Sequence, residues 1–301
     1  MTGGAGFIGS HLVDRLAEEG HDVVVLDDFS SGRIENIKLH LDNENIHLVR
    51  GDVRDSEDVK RALENSDVIF HLAAVASVPL SIENPLFVND VNVGGTLNLL
   101  EASLRANVKR FVFASSCAVY GEVHYLPIDE DHPTNPISPY AASKLAGEHY
   151  CKVFHVNYGI NTLRLRYSNV YGPSQMKTSY SGVITQFIDR LKQGKPPIIY
   201  GNGEQTRDFV HVKDVVEANL LALTCQHGGE VINVGTGRPT TMGKLARILM
   251  ELTGRSDLES KYMSPRKGDI RSSCADITRA KRILRYESRV PLKDGIRTLL
   301  E

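Results

Sequence analysis

The chain of 301 residues has only four cysteines, Cys117, Cys151, Cys225 and Cys274, and no two of them form a CxxC pair. That spacing argues against zinc ribbons and redox dithiols, and four isolated thiols fit a reducing cytosol, where small core residues are the expected role. No apolar run approaches the roughly 18 residues that read as a membrane span. The N-terminus has no basic stretch followed by an apolar one, so no secretory signal is read and a cytoplasmic location is expected. Net charge is almost absent: 35 Lys plus Arg against 37 Asp plus Glu gives −2. Such a balance offers no bulk attraction to nucleic acid or to an anionic membrane. Internal repeats and low-complexity tracts are also missing. What remains is globular, with 41% hydrophobic and 24% charged residues, and long enough for two domains or one large α/β unit.

The first 170 or so residues alternate strand-like and helical runs. Short, β-branched apolar segments at 21–27, 46–49, 67–72, 109–114 and 161–166 read as strands covered on both faces. Helical patterns lie between them at 10–19, 56–63, 92–106 and 138–158. This alternation predicts an α/β fold with a parallel, doubly wound sheet. After about residue 172 the segments become irregular, with turns at Pro196-Pro197, Gly201-Asn202-Gly203 and Gly235-Thr236-Gly237 and helical patterns at 183–194, 212–224 and 242–253. The expected organisation is a dinucleotide-binding domain over 1–172 and a smaller, partly interleaved substrate domain over 173–301.

Thr2-Gly3-Gly4-Ala5-Gly6-Phe7-Ile8-Gly9 satisfies both GxGxxG and GxxGxxG and runs directly into a helix. Glycines let backbone approach a pyrophosphate, and a helix N-terminus supplies free amides to hold it. Asp27 ends the next strand, where a carboxylate can bond the adenosine ribose hydroxyls and repel a 2′-phosphate, favouring NAD over NADP. The bland alternative is an ordinary turn beside a solvated acid. A strand should precede the fingerprint, yet only Met1 stands before Thr2. The expectation is a natural chain that begins several residues earlier, or a misassigned start, with unpaired sheet edges and an open groove where the strand is missing. The end at Leu299-Leu300-Glu301 reads as clipped within a helix.

Tyr140 and Lys144 are four residues apart and so share a helix face. An ammonium beside a phenol lowers its pKa from about 10 towards neutrality and makes it a usable base. Alone, such a pair is as easily a surface helix with a snorkelling lysine. Ser115-Ser116 follows the fourth strand, at the sheet edge where ligands bind. No metal site is read, since the histidines form no cluster. His71 and His211 read as packed structural residues.

These motifs, with Asn92-Val93-Gly94-Gly95-Thr96, resemble the extended short-chain dehydrogenase/reductase family. Leu26-Asp27-Asp28-Phe29-Ser30-Ser31-Gly32-Arg33, Gly51-Asp52-Val53-Arg54-Asp55, His71-Leu72-Ala73-Ala74, the run 165–173, Gly203-Glu204-Gln205-Thr206-Arg207-Asp208-Phe209 and Arg266-Lys267-Gly268-Asp269 are similar, more narrowly, to UDP-glucose (UDP-galactose) 4-epimerases. The resemblance covers essentially the whole chain. It implies a Rossmann-type fold and Tyr140 as base, with Lys144 holding the nicotinamide ribose and Ser116 bonding the sugar 4-hydroxyl. It implies NAD contacts from Gly3, Gly6, Phe7, Ile8, Gly9, Asp27, Asp28, Ser31, Gly32, Asp52, Val53, Leu72, Ala73, Ala74, Asn92, Tyr140 and Lys144. Asn169, Arg207 and Arg266 are implied at the UDP diphosphate, Asp269 at the uridine ribose, and Val183 and Tyr200 elsewhere on the nucleotide sugar. A homodimer through helices 92–106 and 138–158 is implied as well.

Relatives that dehydrate or decarboxylate carry carboxylates just after the strand-end serine or threonine. Here Ser115-Ser116-Cys117-Ala118-Val119-Tyr120-Gly121 has none before Glu122. One base without a second acid can oxidise and re-reduce but is poorly equipped to eliminate, which favours 4-epimerisation of a UDP-hexose through a 4-keto intermediate. Ser273 stands where the resemblance puts a residue walling the hexose C2 substituent, and its small size predicts that N-acetylated sugars are accepted. Ser168 replaces a common phenylalanine and leaves room or polarity beside the nicotinamide. The competing readings are a glucuronate 4-epimerase, a decarboxylase or 4,6-dehydratase, and a non-catalytic NAD-binding sensor.

Overall fold

The structure, a computed structural model, describes residues 1–175, 182–265 and 270–300. The strands are β1 (Val23–Asp27), β2 (Ile46–Arg50), β3 (Val68–His71), β4 (Arg110–Ser116), β5 (Asn161–Tyr167), β6 (Asn169–Tyr171), β7 (Ile198–Tyr200), β8 (Thr206–His211), β9 (Glu230–Val234), β10 (Pro239–Thr241) and β11 (Lys261–Met263). The α-helices are α1 (Phe7–Glu18), α2 (Ser56–Leu63), α3 (Val78–Glu83), α4 (Pro85–Asn89), α5 (Gly95–Arg105), α6 (Pro139–Tyr158), α7 (Val183–Lys192), α8 (Val212–Thr224), α9 (Met242–Leu252), α10 (Thr278–Leu284) and α11 (Leu292–Arg297).

β4 shows why the main sheet is covered on both faces. Side chains alternate along a strand. Val112 and Ala114 therefore enter a core with Leu12, Val13 and Leu16 of α1 and Val215 and Val216 of α8. Phe111 and Phe113 enter an opposite core with Val59 of α2, Leu99 and Leu100 of α5 and Cys151 of α6. Helices thus lie on both sides of a parallel sheet ordered β3-β4-β5-β9, with β1-β2 beside it. This is the doubly wound, Rossmann-type arrangement that the strand–helix alternation predicts.

The seam between β1 and β3 is closed only where the glycine turn begins. Thr2 bridges Leu26 on one side and His71 on the other, both in parallel sense. Its amide donates to Phe70 (3.0 Å), its carbonyl accepts from Leu72 (3.2 Å), and the Gly3 amide reaches Leu26 (2.9 Å). The two residues before the glycine turn thus pair both neighbours at their C-terminal ends, where the turn sits, while no ladder joins the rest of β1 to β3.

Residues beyond 172 return to this sheet: β9 pairs with β5, and α8 and α10 pack into the α1 core. The remainder builds a separate core of Ile184, Phe187 and Leu191 of α7, Ile199 and Phe209 of β7 and β8, and Leu245 and Leu249 of α9. It is laid over the small sheets β10-β8-β6 and β11-β7. Among the described residues no helix is long and apolar enough to cross a membrane.

Candidate active site

The glycine turn opens α1 three residues earlier than the periodicity suggests, at Phe7 with Gly6 as N-cap. Gly3 has φ +69°, and a Cβ there would lie 2.7 Å from the Ala73 amide nitrogen. A Cβ on Gly9 would lie 2.1 Å from the Gly3 carbonyl oxygen. Both are therefore required by packing. A Cβ on Gly6, by contrast, meets only the Gly3 carbonyl, at 3.1 Å, and otherwise projects into open space. Gly6 has no side chain to cap the helix, and the first turn holds no acid, so the free amides of Phe7 and Ile8 are presented to an incoming anion. This shape and polarity fit a dinucleotide pyrophosphate.

Asp27, at the end of β1, accepts the Ala5 amide on Oδ2 and the Phe29 amide on Oδ1, each at 2.9 Å. Burial raises its pKa and these two bonds oppose the rise. The carboxylate thus pins the glycine turn to β1, and a Cβ on Gly32 would touch it at 2.7 Å. Asp28 is exposed and accepts from the amide and hydroxyl of Ser30 at 2.9 and 2.7 Å, with Ser31 beside them on the same exposed loop. Asp52 is engaged by Arg54 (2.6 Å), which holds its carboxyl below the usual range. Val53 is buried, its carbonyl accepting from Asn98 at 2.9 Å.

Leu72, Ala73 and Ala74 leave the end of β3 and are fastened from behind. Asn92 accepts the Val75 amide (2.8 Å) and donates to the Val75 carbonyl (3.2 Å) and to Ser143 (2.9 Å). Its amide is thus spent on the protein. Ser143 in turn donates to the Tyr140 carbonyl at 2.8 Å, so the segment after β3 and the start of α6 are tied together.

Ser138 N-caps α6 by accepting the Ala141 amide at 3.2 Å, with Pro139 at the first helical position. That places Tyr140 in the first turn of α6, with its hydroxyl in hydrogen-bonding relation to Ser116. Ser116 ends β4 opposite Tyr167 of β5 and caps the short turn Cys117–Tyr120. Lys144 is buried, its Nζ donating to the Ala114 carbonyl (2.8 Å) and lying 5.0 Å from the Phe113 ring centroid.

The electrostatics differ from the expected acid phenol. Burial pushes Tyr140 up to about 12, with Ser116 opposing, and lowers Lys144 to about 8. The ammonium turns to the Ala114 carbonyl, and desolvation is the largest influence on each group.

Asn169 and Arg207 lie on the neighbouring strands β6 and β8, with Asn169 opposite Phe209. The Thr206 amide donates to the Arg271 carbonyl (3.0 Å) and the Ser273 amide to the Thr206 carbonyl (3.2 Å), bringing Ser273 beside Arg207. Ser273 and Ser168 are both buried. Val183 begins α7 and Tyr200 ends β7. Arg266 and Asp269 lie outside the described residues. Cys117, in the turn after β4, feels the charges of β8. Burial raises its thiol to about 11 while the nearby charge of Arg207 opposes and that of Asp208 adds. Sequence spacing gives no sign of this proximity. Among the described residues no group of three metal-ligating side chains is assembled.

The chain is similar to known proteins over its whole length. Residues 1–235 match the family model described as the NAD dependent epimerase/dehydratase family. The UDP-glucose 4-epimerase of Mycolicibacterium smegmatis is 42% identical, over 100% of this chain and 96% of its own. The crystal structure of UDP-glucose 4-epimerase with UDP-glucose from Thermotoga maritima superposes with a TM-score of 0.93 at 44% identity, over 99% of this chain and 95% of that one. UDP-N-acetylglucosamine 4-epimerase from Methanobrevibacter ruminantium M1, in complex with UDP-N-acetylmuramic acid, gives a TM-score of 0.93 at 39% identity, over 99% and 96%. With a glycine cradle shaped for a dinucleotide and a tyrosine, lysine and serine gathered at the same sheet edge, the chain belongs to the NAD dependent epimerase/dehydratase family.

Proposed function

We propose that this protein is a nucleotide-sugar 4-epimerase that interconverts UDP-glucose and UDP-galactose through a 4-keto intermediate. The observation that carries the reading is the turn after β4. Ser116 faces Tyr140, and the next residues, Cys117 and Ala118, bring no carboxylate to the site. Elimination of water needs an additional acid and base, whereas oxidation followed by re-reduction needs one proton acceptor.

Tyr140 takes the proton of the sugar 4-hydroxyl and returns it to the same oxygen once the keto sugar has presented its opposite face for reduction at C4, and Ser116 shares the hydrogen bond to that oxygen. NAD, when bound, supplies a reversible hydride acceptor and a cationic ring whose field lowers the pKa of a neighbouring phenol. Gly3, Gly6, Gly9 and the amides of Phe7 and Ile8 would hold its pyrophosphate, Asp27 and Asp28 its adenosine ribose, and Lys144 the ribose next to the reacting ring. Arg207 and Asn169, with Arg266, anchor the UDP diphosphate through charge-assisted bonds. Asp269 serves the uridine ribose. The chain after residue 172 supplies most of this nucleotide-sugar lobe. Anchoring the diphosphate while leaving the hexose few fixed partners lets the keto sugar turn over between the two transfers.

Ser273 favours a second activity on UDP-GlcNAc and UDP-GalNAc, because a small residue at that wall leaves space for an acetamido group. A second copy of the chain is the proposed partner. Pairing through the helices over 92–106 and 138–158 across a two-fold axis is supported by Val153, Val156 and Tyr158, exposed apolar side chains of α6. Light scattering at micromolar concentration reads this directly.

Product chromatography after incubation with UDP-glucose, UDP-GlcNAc, UDP-glucuronate and dTDP-glucose tests the reading. The expected products are UDP-galactose and UDP-GalNAc. A dehydrated or decarboxylated product, or turnover surviving Tyr140→Phe, would overturn it. Ser273→Tyr is expected to abolish only the acetylated activity.

A further inference from the structure

Glu148 is a buried carboxylate that the proposed chemistry does not use. It lies on α6 one turn after Lys144 and two turns after Tyr140, on the same stripe of the helix. Its side chain is 3% exposed, and a carboxylate so placed is strongly unfavourable unless every oxygen is engaged. Oε1 accepts from the Ser115 hydroxyl and from Arg166 Nε (2.8 Å), and Oε2 accepts from Arg166 Nη2 (2.6 Å). Burial works against the charge of Arg166, but pairing with Glu148 offsets it and its pKa is raised.

The two partners are themselves a register pair. Ser115 of β4 stands opposite Arg166 of β5, one residue before Ser116 and Tyr167. One carboxylate thus clasps both strands at the ends that form the site. The clasp has no loose end, because the Arg166 guanidinium lies 4.7 Å from the Tyr120 ring centroid and the Tyr120 hydroxyl donates to Asn233 at 2.7 Å. Together with the Lys144 bond to the Ala114 carbonyl, α6 is tied to two successive residues of β4. A helix advances about 100° per residue, so a slip by one residue would break both ties and turn Tyr140 away from Ser116.

We propose that Glu148 is a positioning residue that sets the Tyr140–Lys144 face of α6 against Ser116 and maintains the charge of Lys144. The proposal rests on the reading of Tyr140, Lys144 and Ser116 as the reacting group. The second role follows from what faces Lys144: Glu148, Cys151 and Tyr140 on its own helix, the neutral His71 on β3 and the Phe113 ring on β4. Burial lowers Lys144, and Cys151 and Glu148 act in the opposite sense. Removing the Glu148 charge therefore lowers it further.

The test is a pH profile of kcat with UDP-hexose for the wild type, Glu148→Gln, Ser115→Ala and Tyr140→Phe, each loaded with NAD. Glu148→Gln is expected to lose about tenfold in kcat with KM and NAD content unchanged. Its alkaline limb moves to lower pH, because Lys144 gives up its proton earlier. Ser115→Ala, which keeps the charge but loosens the clasp, is expected to lose about threefold in kcat with the limb in place. A fall in kcat without movement of the limb in Glu148→Gln, or a parallel rise in KM, would make Glu148 structural only and overturn the proposal. Should Glu148→Gln not fold, wild-type kcat in Ser115→Ala overturns it alone, and the threefold loss at unchanged KM supports it. Turnover surviving in Tyr140→Phe would instead mark failure of the underlying functional reading.

Discussion

The Nε2 atom of His71 lies 2.9 Å from the hydroxyl oxygen of Thr96, and that hydroxyl lies 2.5 Å from the Asn92 carbonyl. A carbonyl only accepts, so Thr96 gives its proton to Asn92 and the imidazole donates through Nε2. Nδ1 is then bare and accepts from the Thr2 hydroxyl at 2.8 Å, whose oxygen takes the Ala73 amide at 3.2 Å. Every donor meets an acceptor in one tautomer of a neutral ring. Burial first, and the charge of Lys144 second, hold His71 down to about 3.

Thr96→Val keeps the shape of the side chain but leaves the buried His71 Nε2–H without a partner. The expected loss is about 1–3 kcal/mol of stability in urea denaturation, with Thr96→Ser close to wild type. Equal midpoints for Thr96→Val and wild type would contradict the assigned proton directions.

His211 N-caps α8 by accepting the Lys213 amide at 3.2 Å and packs edge-on to Tyr171. Burial lowers it to about 4 from 6.5. The stability that comes from keeping it neutral is complete above pH 6.5 and is lost as pH falls towards 4, because the unfolded chain takes up the proton first. Asp27, Glu130 and Asp208, whose carboxyls burial raises, act in the opposite direction. Comparison with His211→Asn, which can still cap, isolates the histidine. The variant is expected to gain on the order of 2 kcal/mol relative to wild type between pH 6.5 and 4, read from urea midpoints.

The glycines of the turn divide by what a methyl group would strike. Gly9→Ala collides with the Gly3 carbonyl and is expected to lose both fold and cofactor. Gly6→Ala meets that carbonyl only at 3.1 Å, so it is expected to fold while its methyl occupies the cradle. Melting temperature and bound NAD, measured side by side, separate the two.

Asp208 is fully buried, accepting the Thr236 amide (2.9 Å) and hydroxyl (2.5 Å), the Gly237 amide (3.1 Å) and the Ala275 amide (3.3 Å). Four donors suit an acceptor-only carboxylate. Asp208→Asn would turn an NH2 group towards them, with an expected loss of about 2–4 kcal/mol. Since Arg207 is its neighbour, a rise in KM for UDP-hexose should accompany the lower unfolding midpoint.

The main sheet is legible in the sequence because apolar β-branched runs at strand length alternate with periodic helical segments. The strand read at 109–114 in fact runs on through Ser115 and Ser116, since ladder pairing with Arg166 and Tyr167 recruits residues whose own propensity is for turns. β6, β7, β10 and β11 have three residues each, too few to show a period. β9 is absent from the strands that the sequence pattern suggests, and its pairing with β5 identifies it. The cradle, Tyr140, Lys144 and Ser116 carry motif signals. The pairing of Glu148 with Arg166 does not, because charged residues 18 apart default to solvent and only the fold buries them together. The phenol's actual environment is equally hidden, since desolvation depends on neighbours distant in the chain.

The place of β9 bears on how the molecule is made. β5 ends at Tyr167, and the strand that covers its edge begins at Glu230, 63 residues further along the chain. At roughly 5–20 residues per second, a ribosome delivers that strand about 3–13 seconds later. During this interval the β5 edge is open, and Arg164, whose guanidinium reaches the Glu230 carbonyl only once β9 arrives, leaves a charge beside that edge that discourages a neighbouring nascent polypeptide from adding to it.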